Sequence, residues 1–331
     1  MSGFWQDKAV LVSGAGGFIG SHLVERLHER GARVRAFVRY NSRNDPGLLS
    51  MLPTEVLSNV EIISGDLCDL SAVQAAMREV SHVFHLGALI AIPYSYLHPA
   101  EVVEANIIGT MNILLAAREL GVERLIHTST SEVYGTALHT PINESHPLQG
   151  QSPYSASKIG ADKLAESFFL SYNLPVVTVR PFNTFGPRQS ARAVIPTIIS
   201  QALVNKTIHL GNLDTTRDFT YVSDTVSGFL AAGSVVGVEG GVFNLGTGEE
   251  IRIGDIADLI ALKVGHKVDI VVDPDRLRPQ KSEVLRLVSD NKLAREVLSW
   301  SPRVRLDDGL DQCIYWMREN LARYKTGAYE I

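Results

Sequence analysis

Tyr154 and Lys158 stand four residues apart, and their side chains are of types that carry acid–base chemistry. Ser152 can cap a helix and Pro153 can begin one, so we predict that the two side chains share one helical face. A nearby ammonium stabilises a phenolate and lowers the pKa of the tyrosine, which can then act as a base near neutral pH. Such pairs occur by chance on many helices, so the pair alone is a weak indication.

A second polar group follows the predicted strand Leu125–Ser129. Thr130, Ser131 and Glu132 place two hydroxyls and a carboxylate at the carboxyl edge of a parallel sheet, where open α/β sheets bind ligands. These groups can bond a substrate oxygen and accept a proton. A lone Glu at this place is otherwise a helix cap or a surface acid, and the residues alone leave both interpretations open.

A glycine-rich turn lies near the N-terminus. Gly14, Gly17 and Gly20 follow the buried strand Ala9–Val12 and open a helix predicted over residues 18–30. Glycines let the turn tighten and the backbone approach a pyrophosphate, whose charge then lies at a helix N-terminus. A ligand-free turn is the alternative, but the position after a buried strand favours a dinucleotide cofactor.

The end of the second predicted strand, Val34–Val38, bears on the choice of cofactor. An NAD site usually carries an acid there, bonded to the ribose 2′-hydroxyl. This chain has Arg39 and Arg43 and no carboxylate before Asp45. Cationic donors suit a 2′-phosphate, so we favour NADP, with NAD possible. Two solvated arginines on a surface loop are the alternative.

The elements that must position these residues alternate between β-branched runs and helical patterns, which predicts an α/β protein with a parallel sheet. The remaining strands are predicted at Val60–Ser64, His82–Leu86 and Val176–Arg180, and the helices near Ser71–Glu79, Pro99–Leu120 and Pro153–Tyr172. Prolines at 181, 187 and 196 break the rhythm. We therefore predict a cofactor-binding domain over residues 1–182 and mainly a substrate lobe over 183–331, with some segments returning to the first domain.

Composition excludes several classes of protein. The chain has 331 residues, of which 45% are hydrophobic, and a formal charge of −5, which argues against a nucleic-acid binder. Its two cysteines, Cys68 and Cys313, cannot build a disulfide framework or a four-thiolate zinc site, and we expect no metal. No apolar run reaches the roughly 18 residues of a membrane span. We expect no membrane association and a cytoplasmic location.

These motifs occur in the order found in the extended short-chain dehydrogenase/reductase family, which the chain resembles from about Lys8 to its C-terminal region. They are the glycine turn, Asp66-Leu67, Thr130-Ser131-Glu132, Tyr154 with Lys158, and Arg180-Pro181-Phe182-Asn183. Members modify nucleotide-diphosphate sugars. The resemblance implies a Rossmann-type doubly wound parallel sheet with a smaller C-terminal substrate-binding lobe. It also implies a homodimer joined through the helices near Pro99–Leu120 and Pro153–Tyr172.

The resemblance further implies a tightly bound nicotinamide cofactor that is recycled within each turnover. The residues implied to bind it are Gly14, Gly17, Phe18, Ile19, Gly20, Arg39, Arg43, Asp66, Leu67, Leu86, Ala88, Tyr154 and Lys158. Asp66 would meet the adenine; its alternative role is to cap the helix that begins near Ser71.

Within the family, Glu132 narrows the reaction. The 4-epimerases generally have a small residue there, whereas a 4,6-dehydratase needs a group that takes the C5 proton and helps expel the C6 hydroxyl. Ser131 beside it resembles the GDP-mannose 4,6-dehydratases. A Thr-Ser-Glu stretch also occurs in UDP-glucuronate decarboxylases, so Glu132 argues against an epimerase more strongly than against a decarboxylase.

Two further stretches bear on the sugar. Residues 86–96, and Arg278 with Ser282-Glu283-Val284, resemble the 4,6-dehydratases of N-acetylated amino sugars in legionaminic-type pathways. The apolar loop at 86–96 is compatible with an acetamido group, although core packing would explain it equally well. UDP- or GDP-linked N-acetylglucosamine is therefore the expected substrate.

The substrate lobe supplies candidate diphosphate ligands. By resemblance, Asn183 meets the sugar diphosphate with Arg188 nearby, Arg217 reaches the nucleotide diphosphate, and Arg278 is a further candidate for substrate binding. Arginine supplies planar bidentate donors for such a group, while a solvated surface role is the alternative for each. Asn106 matches a family asparagine that helps hold the catalytic lysine.

The expected reaction is a 4,6-dehydration of a nucleotide sugar. Thr130 would bond O4 while Tyr154, assisted by Lys158, takes its proton and a hydride leaves C4. Glu132 would take the C5 proton, Glu132 or Ser131 would assist loss of water from C6, and the hydride would return to C6, giving a 4-keto-6-deoxy sugar. The alternatives are a 4-epimerase, a UDP-glucuronate decarboxylase and a non-catalytic NADP-binding redox sensor. A sensor needs neither the Tyr–Lys pair nor the glutamate.

Overall fold

A computed structural model of the chain describes residues 3–266 and 268–324, in which strands and helices alternate. The strands are β1 (Ala9–Ser13), β2 (Arg33–Arg39), β3 (Glu61–Gly65), β4 (His82–His85), β5 (Arg124–Thr128), β6 (Val176–Pro181), β7 (Asn183–Phe185), β8 (Thr207–Leu210), β9 (Thr216–Arg217), β10 (Phe219–Tyr221), β11 (Val242–Leu245), β12 (Ile251–Arg252), β13 (Asp269–Val272) and β14 (Arg286–Leu287). The α-helices are α1 (Phe18–Glu29), α2 (Thr54–Ser58), α3 (Leu70–Met77), α4 (Ile92–Leu97), α5 (Pro99–Val103), α6 (Gly109–Leu120), α7 (Pro153–Tyr172), α8 (Val194–Val204), α9 (Val222–Ser234), α10 (Ile253–Val264), α11 (Lys292–Leu298) and α12 (Leu306–Glu319).

Seven strands form one parallel sheet in the order β11-β6-β5-β4-β1-β2-β3. The predicted Rossmann-type α/β fold is therefore confirmed. The chain runs outward from β1 through β2 to β3 and then crosses back to β4 on the other side of β1. This reversal is the switch point of an open α/β sheet, and ligands of such sheets bind beyond the carboxyl ends of the strands at this point.

Helices cover both faces of this sheet, so successive side chains of its central strands are buried on opposite sides. Val12 on β1 packs in one core cluster with Leu23 of α1. Its neighbour Leu11 packs in the other cluster, with Leu114 of α6 and Phe168 of α7. This two-sided burial holds the strand ends in fixed positions, as a site built on them requires.

Beyond residue 182 the chain forms short sheets of two and three strands: β7 with β10, β8 with β13, and β9 with β12 and β14. The exception is β11, which returns to the seven-stranded sheet and pairs with β6. The sheet is thus completed by a segment from beyond the predicted boundary. The boundary itself stays a prediction, and residues 1–2, 267 and 325–331 lie outside the described residues.

Residues 99–120 differ from the single regular helix that their apolar pattern predicts. A π-helical turn at Glu104–Ile108 separates α5 from α6. Pro99–Leu120 is long and apolar enough to cross a membrane by length and composition, and half of an 18-residue apolar stretch within it is buried inside the protein. The helix α7, in contrast, has the predicted bounds, and Ser152 caps it in a reciprocal arrangement with Ser155.

Candidate active site

The turn after β1 has the shape of a phosphate cradle. Gly14 adopts φ +69°, and a Cβ built on it would lie 2.7 Å from the backbone nitrogen of Gly87. A Cβ on Gly20 would lie 2.2 Å from the oxygen of Gly14, so helix and turn are in direct backbone contact. Gly17 is the N-cap of α1 and supplies no capping side chain. The free N–H groups of this helix end fit the pyrophosphate of a dinucleotide cofactor.

Other predicted cofactor residues surround this turn at the switch point. Leu67 lies against the backbone of Gly87 and Gly109, since Cβ atoms built on these glycines would lie 2.6 Å and 2.9 Å from its side chain. Phe18, Ile19 and Leu86 pack partly buried against the adjacent core cluster. Ala88 continues the same loop after β4 and is half-buried. The structure therefore brings the turn after β1 and the segments after β3 and β4 together.

Asp66 does not cap the helix that follows it. The N-cap of α3 is Asp69, whose carboxylate accepts from the backbone nitrogens of Ser71 and Ala72. Asp66 instead accepts a 2.9 Å hydrogen bond from the backbone nitrogen of Cys68 and is exposed. The capping alternative is thus excluded, and the adenine-binding role of Asp66 stays a prediction.

At the end of β2, Arg39 has a partner that its local sequence does not reveal. Its Nη2 lies 3.6 Å from Oε1 of Glu101 on α5, and its side chain is 70% exposed. Arg43 lies on the exposed loop that follows. A carboxylate is therefore present beside the expected 2′-position after all, but it comes from a helix about 60 residues further along the chain.

Tyr154 is buried in the first turn of α7, and its phenol lies beside the hydroxyl of Thr130. Burial raises the pKa of Tyr154 well above its ordinary value, and the Glu132 carboxylate adds to the increase, while the hydrogen bond to Thr130 opposes it. The expected lowering by Lys158 is not observed. The cause is that desolvation of the phenolate is the largest effect in this dry environment.

Lys158 is also buried, and its Nζ donates a 2.6 Å hydrogen bond to the carbonyl oxygen of Thr128 at the end of β5. Burial lowers the pKa of Lys158 to about 8, against the opposing effect of the Asp162 carboxylate one turn further along α7. The amine is therefore fixed in place, with a pKa near the physiological range.

Asn106, in the π-helical turn, bonds the backbone and not the lysine. Its side chain accepts from the nitrogen of Leu89 at 2.8 Å and donates to the oxygen of the same residue at 2.9 Å. It also donates to the hydroxyl of Ser157 at 2.9 Å. The expected contact with Lys158 is corrected accordingly: Asn106 joins the loop after β4 to the catalytic helix.

A buried polar network beneath Lys158 was not expected from the sequence. Asp162 accepts hydrogen bonds from Ser129 at 2.8 Å and Arg180 at 2.9 Å, and it pairs with His127 at 3.1 Å. Burial alone would raise the pKa of Asp162, but His127 and Arg180 lower it to about 2. Asp162 is thus a stable buried anion, and its place four residues after Lys158 was the one signal that marked it in the sequence.

Glu132 faces a charged cluster from the C-terminal lobe. Arg217 is buried, and burial lowers the pKa of its guanidinium, whereas the charges of Glu132 and Glu283 oppose this change. The guanidinium lies 3.8 Å from the carboxylate of Glu283. Arg278 adds to the lowering, and its Nη1 is buried without a hydrogen-bond partner. Arg217 and the buried Nη1 of Arg278 are cationic donors near Glu132 and suit an anionic ligand.

The other predicted substrate and catalytic residues do not all lie in the same surroundings. Asn183 begins β7, and its side-chain oxygen is buried without a partner. Ser131 is buried in the 3-10 turn that Thr130 caps. Arg188, however, points to α1, where it donates to Nδ1 of His22 at 2.9 Å and pairs with Glu25. Its contacts give no support to a substrate-binding role.

The fold and site together define a protein of the extended short-chain dehydrogenase/reductase type. A family model described as GDP-mannose 4,6 dehydratase matches residues 11–313. The chain is 33% identical to human dTDP-D-glucose 4,6-dehydratase over 96% of this chain and 92% of that protein. It is 34% identical to UDP-glucose 4-epimerase of Mycolicibacterium smegmatis over 93% of this chain and 98% of that protein.

Solved structures agree with these relatives. The dTDP-glucose 4,6-dehydratase from Streptomyces venezuelae, with NAD bound, is similar at a TM-score of 0.83 and 28% identity, covering 96% of this chain and 99% of that one. The chain therefore belongs to the GDP-mannose 4,6 dehydratase family, within the nucleotide-sugar dehydratases and epimerases that use a nicotinamide cofactor.

Proposed function

We propose that the protein is a nucleotide-diphosphate-sugar 4,6-dehydratase whose substrate is UDP- or GDP-linked N-acetylglucosamine. One observation carries this proposal: the carboxylate of Glu132 lies where its charge acts on both the Tyr154 phenol and the Arg217 guanidinium. Oxidation at C4 requires a single base, for which Tyr154 is placed. Elimination of water requires a second group that takes the C5 proton, and Glu132 is that group.

The first half-reaction depends on residues of β5 and α7. Thr130 lies beside the phenol of Tyr154, and both hydroxyls would reach the same substrate oxygen, O4. Tyr154 removes the O4 proton, and the charge of Lys158, held on the backbone of Thr128, stabilises the phenolate as it forms. A bound oxidised nicotinamide would supply the hydride acceptor, held by Gly14, Gly17 and the first turn of α1.

The second half-reaction requires Glu132. Once C4 is a ketone, the proton on C5 is acidic, and the carboxylate takes it while water leaves from C6. Ser131 or the protonated Glu132 assists the departure of the hydroxyl. Addition of a hydride at C6 and return of a proton to C5 would then give a 4-keto-6-deoxy sugar, with no net change in a bound nicotinamide.

The nucleotide end of the substrate is assigned to the C-terminal lobe. Arg217 is buried and donates a hydrogen bond to the carbonyl oxygen of Thr216, and Nη1 of Arg278 is buried without a partner. A diphosphate would accept from these guanidinium donors, and burial of an unpaired guanidinium nitrogen is otherwise costly. Asn183 would donate from its amide nitrogen, because the unpartnered side-chain oxygen can only accept.

The cofactor and assembly belong to the same proposal. We favour NADP because Arg39 and Arg43 follow β2, with NAD as the alternative. We also propose a cytoplasmic homodimer, which binds neither nucleic acid nor membrane, joined through residues 99–120 and α7. Support for the dimer comes from Ile108, Leu170 and Tyr172, exposed by 45%, 71% and 52% on these elements. Sedimentation velocity on the intact chain tests the dimer.

Incubation with a panel of nucleotide sugars tests the reaction. Loss of one water from the product mass, with absorbance near 320 nm in base, supports the dehydratase. Loss of carbon dioxide would identify a decarboxylase, and an unchanged mass with a new sugar configuration an epimerase. Cofactor binding with no conversion of any sugar would favour the redox sensor.

A further inference from the structure

Three side chains from separate elements meet at the adenosine end of the cofactor site. Arg39 ends β2, and its guanidinium lies 3.6 Å from the carboxylate of Glu101 on α5. Tyr94, on α4, donates its phenol proton to the other oxygen of the same carboxylate. The Tyr94 ring in turn stacks on His98 at 4.5 Å between centroids. Glu101 is therefore held on both oxygens, with its charge directed at Arg39.

We infer that Glu101 is a coenzyme-specificity residue, which weakens binding of a 2′-phosphate and favours a 2′-hydroxyl by neutralising Arg39. The inference rests on the nicotinamide dinucleotide site of the proposed function. In that fold the end of β2 lies at the ribose 2′-position. A 2′-phosphate placed on Arg39 would face the Glu101 carboxylate, whereas a hydroxyl can donate to it.

The sequence around Arg39 suggested an NADP site because it carries no acid. The tertiary contact adds an opposing charge, because Glu101 gives the site the carboxylate that β2 lacks. The Tyr94 hydrogen bond lowers the pKa of Glu101, so the carboxylate stays charged at neutral pH. Coenzyme preference then depends on the balance between Arg39 with Arg43 and this single carboxylate.

Exchange at equilibrium tests the inference on the intact chain. The protein is incubated with equimolar NAD and NADP, separated from free nucleotide, and the released nucleotides are quantified. In Glu101→Gln, the ratio of bound NADP to bound NAD should rise at least about threefold over the wild type, since a repulsive charge is removed. The rise should shrink in about 1 M salt, where the Debye length is about 3 Å.

Two further variants separate this effect from a general change in charge. Glu104→Gln removes an exposed carboxylate one turn away that forms no ion pair among the described residues, and its ratio should equal that of the wild type. In an Arg39→Gln background, Glu101→Gln should have little further effect, because the two residues act as a pair.

The outcomes distinguish failure of the proposed cofactor site from failure of the inferred role of Glu101. If the wild type and the variants retain neither nucleotide, the proposed nicotinamide site is wrong and the inference fails with it. If both nucleotides bind and Glu101→Gln leaves their ratio unchanged, the cofactor site stands and the role of Glu101 is overturned.

Discussion

Lys158 Nζ donates a 2.6 Å hydrogen bond to the carbonyl oxygen of Thr128, which ties the catalytic helix α7 to the end of strand β5. Burial lowers the pKa of this amine to about 8. Lys158, the group proposed to stabilise the Tyr154 phenolate, therefore loses its charge within the pH range of ordinary assays. This relationship makes the pH dependence of the reaction informative.

We predict that kcat/KM falls above about pH 8, as Lys158 loses its proton. Asp162 raises the pKa of Lys158, so Asp162→Asn should move this fall to lower pH. The titratable groups that interact with the amine are His85 on β4, His127 on β5 and Asp162 on α7 itself. A pH–rate profile of each protein measures the shift.

Asp162→Asn will also lose stability, because it leaves Arg180 buried without its partner. The position of the alkaline limb, and not the absolute rate, is therefore the relevant measurement. An unchanged limb in a folded Asp162→Asn protein would show that the buried anion does not control Lys158.

The buried amine of Lys158 also makes the stability of the protein depend on pH. The folded pKa of Lys158 is below its ordinary value of 10.5, so the unfolded chain binds more protons between about pH 8 and 10.5. Stability due to this group rises with pH through that window and is lowest below it. The free energy of unfolding of Lys158→Met minus that of the wild type should therefore be larger at pH 7 than at pH 10.5, by up to about 3 kcal/mol. Urea unfolding at the two pH values measures the difference, and equal differences would contradict it.

A third prediction concerns the oxidation step. Tyr154→Phe removes the phenol that bonds Thr130 but keeps the ring, which packs beside Ile92 and Val102. Turnover should fall by about 10²-fold or more, as expected for loss of a general base, while nucleotide-sugar binding persists. Steady-state kinetics measures the turnover, and calorimetric titration measures nucleotide-sugar binding. Near-normal turnover would remove Tyr154 from the mechanism.

The two arginines predicted to bind substrate should respond differently. Arg217→Gln removes a buried cation from the cluster with Glu132 and Arg278 and should weaken nucleotide-sugar binding by about 10-fold or more. Arg188→Gln is the matched control, because that side chain contacts His22 and Glu25 on α1. It should lower the thermal midpoint and leave substrate binding near the wild-type value. Equal weakening in both variants would restore Arg188 to the substrate site.

The fold was predictable because its strands are short buried runs between helical patterns. Ala9–Val12 and Val176–Arg180 differ from the observed strands by one residue at an end, and α7 has the predicted bounds because Ser152 and Pro153 mark its start. The π-helical turn at Glu104–Ile108 was not predictable, since the apolar pattern continues through it.

The site residues that follow strand ends in motifs were predictable from the sequence. The partners that reach the site through tertiary contacts were missed. Glu101 reaches Arg39 from a distant helix, and Glu283 reaches Arg217 from a loop, so local sequence gives neither contact. The raised pKa of Tyr154 comes from burial, and the four-residue spacing between Tyr154 and Lys158 gives no information on burial. Arg188 was assigned by its motif, but its left-handed backbone, with φ +70°, belongs to a segment that packs against α1.

The central claim is that Glu132 serves elimination and not oxidation. Glu132→Gln keeps nearly the same volume beside Tyr154 and Arg217, but the amide cannot accept the C5 proton as a carboxylate does. The hydride path and the Tyr154–Lys158 pair stay intact, so oxidation at C4 should still proceed in this variant.

A single-turnover experiment in deuterated solvent measures both halves at once. Glu132→Gln should build up absorbance at 340 nm, release little dehydrated product and almost stop exchanging the C5 hydrogen. In an epimerase the substitution would leave the chemistry nearly unchanged, because no C5 proton moves. Wild-type rates of water loss and C5 exchange in Glu132→Gln would contradict the assigned role of this carboxylate.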